Sequence, residues 1–171
     1  IKEKITNKSN NQVVVLEYIY DQQNILIGVV ENNNIYYYDR DITGEIRGLI
    51  DTNGNYVIKY YYTAFGEVIK EPTFVNNITN FNPFLYKGYY YDEETQLFYC
   101  NSRYYSPELC RFISPDSIEY LDPQSINGLN LYCYCGNNPI MYADPTGNSP
   151  DSIWKTLLGV VVGVGDRKST R

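Results

Sequence analysis

Apolar, tyrosine-rich runs that each end in an acidic or polar turn constrain this chain more than any other feature. VVVLEYIYDQQNILIGVV opens the series at Val13, NIYYYDRDITGEIRGLI follows, and NYVIKYYYTAFGEVIKE is the third. After each turn come a turn residue, a polar residue and an apolar residue. Gly44-Glu45-Ile46, Gly54-Asn55-Tyr56 and Gly66-Glu67-Val68 show this order, and Asn24 fills the glycine slot in Gln23-Asn24-Ile25. A short hairpin loop whose hand matches strand twist needs a residue at positive φ, which glycine adopts freely and asparagine tolerates. The pattern therefore predicts consecutive antiparallel hairpins over residues 13–70. A lone hairpin is marginal in water, so neighbouring hairpins must supply the buried face. The uneven spacing of Gly44, Gly54 and Gly66 suits hairpins laid side by side better than a strict solenoid.

Composition narrows the function. The chain has 20 Tyr against 6 Phe and 1 Trp, and a ring with a polar tip suits a β-surface wet on one side. With 14 basic and 20 acidic residues the net charge is -6, and no basic run is present. Nucleic-acid binding through this region is disfavoured, because phosphate neutralisation supplies most of that affinity. There is no histidine, which removes histidine triads and the commonest metal ligand. Cys100, Cys110, Cys133 and Cys135 lack the paired knuckle spacing of a zinc site, and Cys133 and Cys135 cannot bridge each other along a strand. They read as small half-buried thiols, so no metal and no cofactor is expected.

The remaining segments read differently. Residues 1–12 are polar and expected to fray. Residues 71–83, with two prolines and several asparagines, read as a loop or crossover. Residues 84–147 form a second Tyr-rich stretch, with a short helical turn before Pro123. Gln96 and Cys110 occupy the turn slot there; neither relieves positive-φ strain, so those two turns are expected to be looser or of another type.

The order of features in the second stretch carries a resemblance. Gly88 is followed by tyrosines, DEETQ, then Arg103-Tyr104-Tyr105 and SPELC. Next come Arg111-Phe112-Ile113-Ser114-Pro115-Asp116, Asn130-Leu131-Tyr132, Asn137-Asn138-Pro139 and Asp144-Pro145-Thr146-Gly147. This stretch resembles the repeat-associated core domain that closes bacterial RHS (YD-repeat) proteins, and the resemblance extends over about residues 15 to 147. It implies an all-β fold of consecutive antiparallel β-hairpins forming the end of a spiral β-shell. It also implies an enclosed C-terminal effector, an immunity protein for that effector, and a secreted or cell-surface bacterial location. Arg111, Phe112, Asn138, Pro139, Pro145 and Gly147 match the motif as structural positions.

The resemblance further implies a pair of aspartates that cuts the chain just downstream. Two carboxyl groups in contact share a proton, so one can act as acid while the other activates water. Asp144 matches the second element of that pair. Anchoring on Arg111-Phe112 makes Asp116 its partner, although Ser117-Ile118-Glu119 follows it. Asp122 has the following proline and the family spacing, yet Ser125 stands where glycine belongs, and Asn148 replaces the usual leucine. A second reading stays open, in which all three aspartates are turn formers beside prolines. Arg103 and Arg111 read as lone cations bound for carboxylate pairing or ring stacking.

Past Gly147 the composition shifts. Ser149 or Asp151 suits a helix N-cap, and a short C-terminal helix is expected there. The apolar run Leu157 to Gly165 is too short to span a bilayer. By resemblance, residues 148–171 begin a variable effector, and the abrupt DRKSTR ending at 166–171 reads as a sequencing artefact. The chain as a whole reads as a fragment. Two functions remain in view: a shell that encloses and delivers an effector, with an aspartic autoprotease of degenerate motif, or a surface adhesion module using tyrosine platforms. Tyrosines packed inward favour the shell, and an exposed contiguous patch favours binding.

Overall fold

The computed structural model describes residues 2–6, 13–71, 82–124, 127–148 and 151–152. They divide into two compact units, 1–93 and 94–171. The first unit is a seven-stranded antiparallel meander: β1 (Lys2–Thr6), β2 (Val13–Tyr20), β3 (Leu26–Glu31), β4 (Asn34–Arg40), β5 (Ile46–Ile50), β6 (Tyr56–Tyr62) and β7 (Val68–Glu71). Each strand pairs with its sequence neighbour, as the hairpin pattern predicts. The expectation that residues 1–12 fray is corrected for the first strand: Lys2 to Thr6 pair with Glu17 to Val13. Most of the expected crossover at 71–83, like residues 7–12, falls outside the described residues.

The corners follow one local rule. In the loops that begin at Asp21, Asp41 and Asp51, the first residue's N–H bonds the fifth residue's carbonyl, and the fourth residue's N–H returns to the first carbonyl. The fourth residue has positive φ, 67° at Asn24, 87° at Gly44 and 85° at Gly54. The aspartate then accepts two further bonds at Oδ1, from the third and fifth N–H groups. In the loop that begins at Thr63, Thr63 Oγ1 takes the fifth N–H, and Gly66 has φ 91°. Aspartate therefore satisfies donors the tight turn would leave open, which is why the runs end in an acidic residue. Burial raises the Asp41 carboxyl, but bonds from Thr43 and Arg47 outweigh it and hold the group below its usual range. The backbone N–H of Asn55 leads the same downward shift at Asp51. Between β3 and β4 the chain turns on Asn32 and Asn33 alone, at φ 49° and 67°, the left-handed pair that a two-residue hairpin requires.

Register puts opposite residues on one face. Tyr18 faces Val29, Val29 faces Tyr36, and Tyr38 faces Leu49, which faces Ile58. With Val14, Leu16 and Tyr60 they form a largely buried face, against which Phe84 packs on Tyr18, Asn82 bonds Tyr38 and Tyr86 meets Tyr62. Fully burying a side chain such as Leu49 contributes about 1.5–3 kcal/mol. Within the cover, Lys87 sits in a 3-10 turn (Tyr86–Gly88) before β8 (Tyr90–Asp92), and its Nζ lies 3.2 Å from Glu45. Gly66 is required by contact as well as by φ: a Cβ there would lie 2.6 Å from the Tyr86 ring.

Four tyrosine hydroxyls of this face and its cover are donors in use, and a fifth, Tyr60, accepts from Asn82 Nδ2 at 3.4 Å. Tyr18 donates to Glu3 Oε2 at 2.5 Å, and Tyr90 to Glu3 Oε1 at 2.7 Å. Tyr38 donates to Asn82 Oδ1 at 2.8 Å, and Tyr62 to the Ile46 carbonyl at 2.7 Å. Burial pushes Tyr60 up to about 12 and raises Tyr18, Tyr38, Tyr62 and Tyr90 further, so they stay protonated. Tyrosine serves here where phenylalanine would not, because each polar tip finds a partner inside an apolar layer.

The second unit contains β9 (Leu97–Cys100), β10 (Arg103–Ser106) and β11 (Arg111–Phe112), paired antiparallel, and a separate pair β12 (Tyr142–Ala143) with β13 (Asp151–Ser152). Its core is aromatic. Tyr105 lies tilted against Tyr134 with centroids 4.0 Å apart, and Phe98 and Phe112 complete the cluster. A 3-10 turn at Ile118–Tyr120 precedes Pro123, as expected. Gln96 and Cys110 are held at φ 59° and 55°; the Cys110 N–H bonds the Pro107 carbonyl, but Pro107 has no N–H to close the other side, so that turn is of another type than the aspartate corners. One expectation is corrected. Asp151–Ser152 is strand, because β12 offers it a partner, and not a helix cap; the expected helix beyond lies outside the described residues.

Candidate functional site

The site grows from the turn Asn101–Ser102 between β9 and β10. Arg103, first residue of β10, points inward and is 6% exposed. A buried guanidinium needs all its donors satisfied. Nη2 lies 2.7 Å from Asp116 Oδ2 and 3.6 Å from Asp144 Oδ2. Nη1 donates to the Leu131 carbonyl at 2.9 Å, and Nε donates to the Gly147 carbonyl. The flat cation lies over the Phe112 ring, 3.7 Å from its centroid. Arg103 thus does both things expected of it, while Arg111 on the exposed side reaches over Tyr132 at 5.6 Å. Burial pushes the Arg103 guanidinium down, and Asp116 and Asp144 pull it back up.

The structure brings Asp116 and Asp144 to one guanidinium. Asp144 is 1% exposed and begins a corner of the same kind as those in the first unit. Gly147 N–H bonds the Asp144 carbonyl, Asn148 N–H donates to Asp144 Oδ1 at 3.1 Å, and Gly147 has φ 74°. No other residue fits at 147, because a Cβ would lie 2.2 Å from the Cys100 carbonyl. Asp122 is exposed and accepts the Gln124 N–H in a local turn, so it stands apart from the Arg103 pairing. All three aspartates and Arg103 line a cavity of about 600 Å³ in this unit, along with Asn130 and Tyr142.

Of the matched motif residues, Phe112 and Gly147 contact Arg103 directly. Phe112 and Pro139 are buried, Phe112 under the guanidinium. Asn138 offers its carbonyl to Met141 and Tyr142, and the Pro145 carbonyl accepts from Asn101 Nδ2 at 2.6 Å. Burial raises the Cys100 thiol, with Asp144 adding to the shift, and burial also raises Cys133. Neither thiol is poised as a nucleophile. Among the described residues no cluster of His, Cys, Asp or Glu could hold a metal ion. Chemically, the cavity offers three carboxylates, two of which share one cation, and that cation also holds the Gly147 carbonyl.

Consecutive hairpins with aspartate corners, followed by a buried arginine that ties Asp116 to the last corner, define a YD-repeat shell protein of the RHS type. The family model described as Teneurin YD-shell matches residues 2–140, and the chain belongs to that family. Similar curated proteins include the tRNA nuclease WapA of Bacillus subtilis, 37% identical over 143 residues, 84% of this chain and 6% of that protein. The tRNA3(Ser)-specific nuclease WapA of Bacillus spizizenii is 36% identical over 79% of this chain and 6% of its own length. Salivary gland surface protein 1 of Aedes aegypti is 32% identical over 94% of this chain and 4% of that protein. The chain therefore spans a small part of these relatives. Among solved structures, a chain of the Photorhabdus luminescens Tc holotoxin pore matches with TM-score 0.69 and 21% identity, covering 85% of this chain and 7% of its own. TcdB2-TccC3 matches with TM-score 0.65 and 22% identity, covering 83% and 7%. Both share the fold. Among the described residues no helix is long and apolar enough to cross a membrane.

Proposed function

We propose that this chain is the closing wall of a secreted or surface-exposed bacterial shell, and that Asp144 with Asp116 cuts the polypeptide to free an enclosed C-terminal effector. The observation that carries the enclosure reading is the direction of the tyrosines. Tyr18, Tyr38, Tyr60 and Tyr62 turn their rings into one covered face and spend their hydroxyls on internal partners. Similarity to nucleases called WapA supports a toxic effector, whose immunity protein would be encoded separately. The self-cleavage reading is supported by the convergence of Asp116, Asp144 and Arg103 on one cavity. Asp122 is a poorer partner for Asp144, because it turns into a local loop.

The surface-adhesion reading draws on a different face. Val15, Ile35, Tyr37, Tyr61 and Ile69 are exposed, and one relative is named a salivary gland surface protein. Protease added to the natural full-length protein separates the two readings. Enclosure predicts that the C-terminal effector survives until denaturant opens the shell. An effector digested as fast as a free domain would leave the adhesion reading.

A further inference from the structure

We propose that the guanidinium of Arg40, at the end of β4 in the first unit, is a binding site for a carboxylate group. Arg40 stands between two aspartates in sequence, yet the carboxylates around it are engaged elsewhere. Asp39 Oδ2 accepts the Tyr56 hydroxyl at 2.6 Å. Asp41 Oδ2 accepts from Arg47 Nη2 at 2.7 Å, and Glu45 Oε1 lies 3.2 Å from Lys87 Nζ. Among the described residues Arg40 joins no ion pair and no hydrogen bond, and its Nε is buried.

The cation is nevertheless drawn into the fold. Arg40 is half-buried, and it lies against the 3-10 turn at Tyr86–Gly88: a Cβ on Gly88 would come within 3.3 Å of Arg40 Nη1. The neighbouring Lys87, with a side chain 1% exposed, already has Glu45 as its counter-ion. Arg103 in the second unit supplies the contrast. Burial pushes both guanidiniums down, but Asp116 and Asp144 pull Arg103 back up, whereas Tyr38 alone opposes the shift at Arg40. Arginine does not escape such a place by losing its proton, and a desolvated charge without a counter-ion is far costlier than a paired one.

The chemistry of the site selects its ligand. A guanidinium is a flat fork, and a carboxylate takes two of its parallel N–H groups at once. Nε is covered, so the edge formed by Nη1 and Nη2 is the one a ligand reaches. One uncompensated charge calls for a monoanion, since a dianionic phosphate would leave excess negative charge beside Asp41 and Glu45. Residues 72–82, which follow β7, contain no aspartate or glutamate and cannot supply the group. Its source is an acidic side chain elsewhere in the natural protein or a free carboxylate ion.

The test is the melting temperature of the natural full-length protein and of its Arg40→Met variant, each in sodium chloride and in sodium acetate at equal ionic strength. Methionine keeps the apolar stem and removes the charge. A carboxylate held from the polypeptide predicts a variant that melts several degrees below wild type in both salts, because a pair has been broken. A site for free carboxylates predicts a variant that falls below wild type only when acetate is present. A variant that melts at or above wild type in both salts overturns the site, because exchanging an unpartnered cation for an apolar side chain removes a cost. Should Arg40→Met fail to fold, an experimental structure of the full-length protein decides. A carboxylate oxygen within about 3 Å of Nη1 or Nη2 is expected, and water alone at those atoms overturns the assignment.

Discussion

At Asp41 and at Asp144 the chain turns with the same backbone. Each aspartate starts a five-residue corner, each has glycine at positive φ in the fourth place, and each accepts the fifth residue's N–H at Oδ1. The surroundings differ. Asp41 is half-buried and meets Arg47, whose side chain is 51% exposed. Asp144 is buried and shares Arg103, itself 6% exposed, with Asp116. The difference teaches that a repeat corner becomes a candidate reactive site through burial and a second charge, with no change in the turn itself. Screening by water weakens the exposed pair, whereas desolvation makes each member of the buried set depend on the others.

Breaking each arginine contact is expected to show the largest contrast. Arg103→Met leaves Asp144 buried against no cation and should cost about 3–5 kcal/mol in chemical denaturation. Arg47→Met should cost about 0–1 kcal/mol, because its pair is solvent-screened. Equal losses would erase the distinction. The glycines give the next largest contrast. Gly147→Ala meets the Cys100 carbonyl at 2.2 Å as well as an unfavourable φ, while at Gly54 a Cβ has nothing within 4 Å. The first is expected to cost about 3 kcal/mol or more, and the second about 1–2 kcal/mol from backbone strain. The smallest effect sharpens the corner rule itself. Cys110 is held at φ 55° by strand pairing, so Cys110→Gly is expected to stabilise by about 1 kcal/mol, read as a higher Tm.

The hairpins were legible in the sequence because glycine and asparagine at positive φ leave a mark that spacing reveals, as at Asn24, Gly44, Gly54 and Gly66. Gln96 and Cys110 leave no such mark, because neither residue favours positive φ and pairing of the flanking strands holds them there. Lys2–Thr6 looked like a fraying end because its polar residues show no alternation, yet β2 offers it an edge. Asp116 and Asp144 were found through motif order, but no local pattern announced that Arg103 would join them. Its contacts reach across 28 and 44 residues to Leu131 and Gly147, and a single sequence does not display such distances.

Intact mass spectrometry of three versions of the natural full-length protein tests most directly whether burial makes the Asp144 corner reactive. Wild type and Asp41→Asn are expected in two pieces, and Asp144→Asn in one. Asp41→Asn matters because it removes the same charge from the same turn. Three identical spectra, all whole or all cut alike, would contradict a special role for Asp144 and return it to the ranks of the turn formers.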